Sequence, residues 1–124
     1  MRFLLLIYSN PQNWAHPAYL YQPGDFSADE LAEMKREGDA LQTEIEASGE
    51  FISARGLFEP AAAKTVREID GSTIVTDGPF AEAKEHLAGV FEIECESMDR
   101  AVEIASRFQD TRFGTIVVRQ VMTA

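Results

Sequence analysis

The chain concentrates its chemistry in one run, Asp77-Gly78-Pro79-Phe80-Ala81-Glu82-Ala83-Lys84-Glu85-His86-Leu87. A carboxylate, a Gly-Pro pair, an aromatic ring, a lysine and one of the two histidines follow one another there. Pro79 fixes its own φ and disfavours the helical region for Gly78, so Asp77 is held at a sharp exit from a strand. Its carboxylate has two roles open to it. It can accept hydrogen bonds from backbone N–H groups two or three residues on and pin the turn. Alternatively it lines a cleft and exchanges a proton with a bound molecule. His86 is suited to carry a proton near neutrality. In a helix it would share a face with Glu82, four residues back; in an extended chain it would share one with Lys84. The plainer alternative is a partly exposed loop histidine.

Lys84, Arg55 and Arg119 are the candidates for holding an anionic group, because a guanidinium forks onto a carboxylate or phosphate. The competing role for each is an ion pair with one of the 21 acidic residues. Phe80, the ring of the same turn, joins them as a candidate substrate-binding residue. No His/Cys/Asp cluster has the spacing of a metal site, and neither a glycine-rich dinucleotide loop, a phosphate loop nor a nucleophile elbow is present. What remains is acid/base chemistry without a cofactor, or simple binding. Cys95 is the one cysteine; flanked by Glu94 and Glu96, it reads as a buried, inert thiol, since reactive thiols need electropositive surroundings.

A length of 124 residues fits a single domain over 1–124, and 45% hydrophobic residues with eight Phe supply a core. The net charge of −10 argues against nucleic acid and against anionic membrane, both of which need clustered cations. A lone cysteine points to a reducing cytoplasm. The apolar run Phe3-Leu4-Leu5-Leu6-Ile7 is far short of the ~20 residues of a membrane span and reads as a first strand.

The elements that must position these groups follow from patterning. Residues 3–8 are apolar on both faces, as in a central strand. Residues 9–26 carry Pro11, Pro17, Pro23 and Gly24 beside Trp14, Tyr19, Tyr21 and Phe26, an aromatic flap over a pocket, a partner or its own core. Ser27 opens a helix with Glu30 three residues on, a capping box; Leu31, Met34, Leu41 and Ile45 form its apolar stripe, and Gly49 ends it. Gly38 inside that helix suggests close packing on a sheet. A strand over 51–54 precedes a hairpin, 64–69 and 72–76, around Asp70-Gly71, the signal of a type I′ turn. A strand over 90–95, a helix with Ala101, Val102, Ile104, Ala105 and Phe108 inward, and a strand over 115–121 complete the chain. The class is α+β: a ferredoxin-like βαββαβ with an inserted β-hairpin. Two helices cover one sheet face. The other, apolar and uncovered, predicts a two-fold homodimer with sheets facing one another.

The same residues resemble the YCII-related family, in its DGPF branch. The resemblance runs through Phe3-Leu4-Leu5-Leu6-Ile7-Tyr8, Gly56-Leu57 with Pro60, Thr65-Val66-Arg67, Val75-Thr76-Asp77-Gly78-Pro79-Phe80-Ala81-Glu82, Lys84-Glu85-His86-Leu87-Ala88-Gly89, Arg112-Phe113-Gly114-Thr115 and Val118-Arg119. It implies a dimeric α+β barrel and pocket chemistry with an acid/base pair. In that setting Asp77 would act as acid/base and His86 as proton shuttle. The histidine that many YCII relatives carry in the first helix is absent between Ser27 and Ser48, so that role does not transfer. The function implied is binding of a small organic acid or lactone, with isomerase, lyase or dehydrochlorinase-like turnover. The alternative is a non-catalytic regulatory or interaction module linked to alternative sigma factors.

Overall fold

The computed structural model describes residues 1–10, 26–81, 83–112 and 114–123. The aromatic flap therefore lies outside the described residues but for its ends, as do Glu82 and Phe113. In chain order the elements are β1 (Arg2–Ser9), α1 (Ala28–Ser48), β2 (Phe51–Gly56), β3 (Lys64–Ile69), β4 (Ser72–Asp77), β5 (His86–Glu94), α2 (Met98–Ser106) and β6 (Thr115–Gln120). The main sheet has the order β2-β5-β1-β6, antiparallel throughout. With β3 and β4 set apart as their own two-stranded sheet, this is the expected ferredoxin-like α+β arrangement with an inserted hairpin.

β1 is central because both its faces are apolar. Phe3, Leu5 and Ile7 are buried beneath Leu41 and Ile45 of α1 and Ala101, Ile104 and Ala105 of α2, so both helices lie on one face. Phe91 fills the gap between them, edge-on to Phe51 and to Phe108 at centroid distances of 6.0 and 4.8 Å, separations at which T-shaped pairs add to plain burial. The Ser27 cap is reciprocal, its hydroxyl accepting from the Glu30 N–H while the Glu30 carboxylate accepts from the Ser27 N–H. Asp70 and Gly71 take φ of 50° and 79°, as a type I′ turn demands.

Three details depart from the sequence reading. Val102 is half exposed: the buried positions 101, 104, 105 and 108 define a stripe that leaves 102 to one side. Gly38 does not permit a close approach, since a Cβ there would meet nothing within 4 Å. And β5 begins at His86, not at Val90. The last residues of β1 need backbone partners, which they find as Tyr8 opposite Leu87 and Ser9 opposite His86, with a bulge between Ile7 and Tyr8.

Sequence patterning also missed the clamp that fixes the helices. The Arg100 guanidinium donates to both Glu50 oxygens at 2.8 Å, and also to Glu44 and Glu103. Arg107 donates to Glu44 at 2.6 Å. These bonds tie the end of α1 and the approach to β2 onto α2. They hold the Glu50 carboxyl down at about 2 and raise the Arg100 guanidinium above its ordinary value, a bidentate geometry being the strong form of this pair.

Two glycine substitutions should move stability in opposite directions in urea denaturation. Gly114→Ala would place a Cβ 2.1 Å from the Tyr8 carbonyl oxygen and should cost about 1–3 kcal/mol through forced backbone displacement. Gly38→Ala, into open space within a helix, should instead stabilise by about 0.5–1 kcal/mol.

Candidate functional site

The Gly114 turn is where contacts from β1, the Gln109–Arg112 turn and the approach to β5 meet. Its N–H donates to the Asp110 carbonyl at 3.0 Å, and a Cβ added to it would meet the Tyr8 carbonyl oxygen at 2.1 Å and a Glu85 carboxylate oxygen at 3.1 Å. Glu85 is fixed there by the Thr115 hydroxyl, which donates to it at 2.8 Å. His86, the next residue, pairs with Ser9 across the β1–β5 ladder. Directly opposed residues share a sheet face, and Ser9 continues the buried alternation of Phe3, Leu5 and Ile7. His86, partly buried, therefore stands at the end of the helix-covered face.

Asp110 is the member with the most altered chemistry. It sits in the 3-10 turn Gln109–Arg112 with only 9% of its surface exposed. Burial raises its carboxyl from 3.8 to about 6, a hydrogen bond from its own backbone opposing the shift. A carboxylic acid kept close to neutrality by desolvation can give and take a proton where an exposed Asp cannot. Sequence reading missed it because a buried Asp in a turn carries no local signature.

The residues singled out from the sequence are divided among three places. Asp77, at the end of β4, is exposed and ion-paired with Lys64 across the hairpin. It does not pin the turn: the Gly78 N–H bonds the Ala63 carbonyl at 2.7 Å, and the Thr65 hydroxyl donates to the Gly78 carbonyl at 2.7 Å. Phe80 is 79% exposed beyond it. Lys84 and His86 adjoin Glu85 in sequence; residues 83–85 are not helical, and His86 opens β5.

Arg55 and Arg119 lie on the helix-free face. There the rows read Ser53–Glu92–Leu4–Arg119 and Arg55–Val90–Leu6–Val117 across β2, β5, β1 and β6. The two residues are on opposite edge strands, their backbones three strand spacings or about 14 Å apart. Glu92 already pairs with Arg2 at 3.3 Å. Cys95 is buried, its thiol raised by desolvation. Among the described residues no group of three His, Cys, Asp or Glu could hold a metal ion, and no helix is long and apolar enough to cross a membrane.

A groove of about 330 Å³ between α1 and the Gln109–Arg112 turn is lined by Glu37, Arg107, Gln109 and Arg112, among others. Its cations are already neutralised: Arg112 lies 3.8 Å from Glu37, and Arg107 bonds Glu44. It offers an anion little.

Asp110 makes stability depend on pH in a definite direction. Its folded value exceeds its unfolded one, so its contribution is complete below about pH 4 and is lost as pH rises through 6. Asp110→Asn should remove up to about 3 kcal/mol of that loss, leaving a flatter urea midpoint between pH 4.5 and 7.5 than wild type. Equal slopes in the two proteins would mean that the carboxyl titrates normally.

The YCII-related domain matches residues 1–124. The chain is also 39% identical over 80 residues to an uncharacterised protein of Rhizobium meliloti (strain 1021). That match covers 64% of this chain and 64% of the relative's length.

Proposed function

The chain belongs to the YCII-related family, and on that premise we propose a small-molecule-binding protein with cofactor-free acid/base capacity, acting on a small organic acid or lactone. The observation that carries this reading is the buried Asp110 carboxyl, held near neutrality beside the Gly114 turn. Asp110 serves as the proton-exchanging acid, and His86, on the same side of the sheet, as the shuttle to solvent. Lys84, which forms no ion pair among the described residues, holds the ligand's anionic group from the adjoining chain. Desolvation is what makes a carboxyl useful here: at pH 7 both of its protonation states are populated within a factor of about ten.

Asp77 and Phe80, on the exposed hairpin, belong to a part of this proposal that involves a second copy. The helix-free face carries Leu4, Leu6, Val90 and Val117 in adjacent rows, with no described element above them. Burial of such a strip at a self-complementary two-fold contact is the ordinary remedy, and we include a face-to-face homodimer in the reading. A reducing cytoplasm suits the buried lone thiol. The exposed hairpin favours a second reading, a non-catalytic interaction module, in which the same contacts serve assembly alone.

A thermal-shift panel of benzoate, succinate and γ-butyrolactone separates the two. A ligand specific for the folded state stabilises it by ~2.7 kcal/mol at a hundredfold excess over Kd. Wild type should gain with at least one carboxylate, and Lys84→Ala should lose most of that gain. Asp110→Asn should keep the binding but lose turnover of any lactone or acid found to be converted. If no probe shifts wild type, or Lys84→Ala responds as wild type does, the acid-binding reading fails.

A further inference from the structure

Among the described residues, the hairpin is an arm bonded only to its own segment. Every hydrogen bond and ion pair formed by residues 58–81, among those described, is internal to that segment. It nevertheless exposes Phe58, Val66, Ile69, Ile74, Val75 and Phe80, with Phe58 89% exposed. A lone two-stranded hairpin is marginal in water, and an apolar surface of this kind marks a contact site.

Charge indicates the occupant. The arm bears Glu59, Glu68, Asp70 and Asp77 against Lys64 and Arg67. Asp77 is neutralised by Lys64, while Glu59, Glu68 and Asp70 have no ion pair among the described residues. The helix-free face of the same chain has the opposite surplus. Its acids are engaged, Glu92 and Glu94 both by Arg2. Among the described residues, Arg55 donates only to the Ala54 carbonyl and Arg119 has no ion pair. These two guanidiniums flank the apolar strip on the edge strands β2 and β6, where the rim of an interface lies. A protein of net charge −10 thus presents unpaired anions on an apolar arm and unpaired cations beside an apolar face, and one protomer does not join them. The arm's strands of six residues, at ~3.3 Å per residue, reach about 20 Å, enough to cross a four-stranded sheet.

We propose that the arm docks on a second copy of this chain, its apolar side chains and free carboxylates meeting the rim of that copy's helix-free face near Arg55 and Arg119. The inference rests on the face-to-face association proposed above and adds the element that encloses it. Two-fold symmetry makes the exchange reciprocal, so each copy both gives and receives an arm. Asp77 and Phe80 of one copy then come to the guanidinium side of the other, bringing together residues that no hydrogen bond or ion pair joins among the described residues of a protomer.

Hydrogen exchange of the amides in residues 64–77, followed with sedimentation equilibrium of wild type, Val66→Asp/Val75→Asp and Leu6→Asp, tests this. Wild type should be dimeric, its arm amides protected in proportion to the dimer present. The arm variant should weaken the dimer at least tenfold while its monomer keeps the wild-type circular dichroism, since the arm contributes nothing to the protomer core. Leu6→Asp should also dissociate the dimer and lose arm protection. A wild-type dimer whose arm amides exchange at free-peptide rates, or an arm variant that dimerises like wild type, overturns the inference and leaves the face-to-face contact standing. If Leu6→Asp dimerises normally with its arm protected, the face-to-face contact falls and the arm docks alone. A strictly monomeric wild type overturns both.

Discussion

Everything in this fold depends on β1 having two apolar faces. Phe3, Leu5, Ile7 and Ser9 are buried on one side, while Leu4, Leu6 and Tyr8 face the other and are only partly covered. A strand of that kind is stable only with neighbours on both edges and cover on both faces. β5 and β6 supply the edges, and α1 and α2 supply one cover. The second cover is absent from the described residues of the protomer. The demand also shapes the site. To satisfy the backbone of Tyr8 and Ser9, β5 must start as early as His86, and this places the histidine against the sheet instead of in a loop.

The chain's electrostatics divide along a similar line. With an acidic surplus, each cation is valuable, and the best-placed one, Arg100, is spent on structure. Its grip on Glu50 stabilises the fold above the ordinary range of a glutamate and is lost as pH falls toward 2. Asp110 works in the opposite sense, since its burial costs more as pH rises through 6. A structural pair that prefers its charges and a buried acid that resists its own therefore act on either side of about pH 4–4.5. The two groups share a cause: each carboxyl departs from its ordinary value because of what the fold puts beside it, a guanidinium for Glu50 and an apolar surround for Asp110.

How much of this was legible depended on whether the signal was local. The Ser27–Glu30 cap, the Gly49 stop, the Asp70-Gly71 turn and the Met34, Leu41 and Ile45 stripe are each decided within a few residues, and each stands where the pattern placed it. The element order followed from them. What was not local was not legible. Asp110 acquires its character from elements distant in sequence. Gly114 is required by Tyr8, some hundred positions earlier, and the Arg100–Glu50 clamp spans fifty. Asp77 illustrates the reverse error: its neighbours suggested a turn staple or a cleft acid. The cross-strand register instead set it opposite Lys64, and that register is a property of the hairpin as a whole.

The division of the site follows from the topology. An insertion between β2 and β5 must leave the sheet at one edge, because β2 is the edge strand and β5 its only neighbour. The motif that ends the insertion, Asp77-Gly78-Pro79-Phe80, therefore begins outside the main sheet, and the chain re-enters that sheet at His86, six residues after Phe80. Pro79 and the left-handed Gly78, at φ 81°, restrict the chain where it leaves β4, while apolar side chains stay exposed on both faces of the hairpin. A rigid exit loses less entropy on docking than a flexible tether would. The stretch that reads as a catalytic motif is thus bounded by two ladders: Asp77 pairs with Lys64 in the hairpin and His86 with Ser9 in the main sheet.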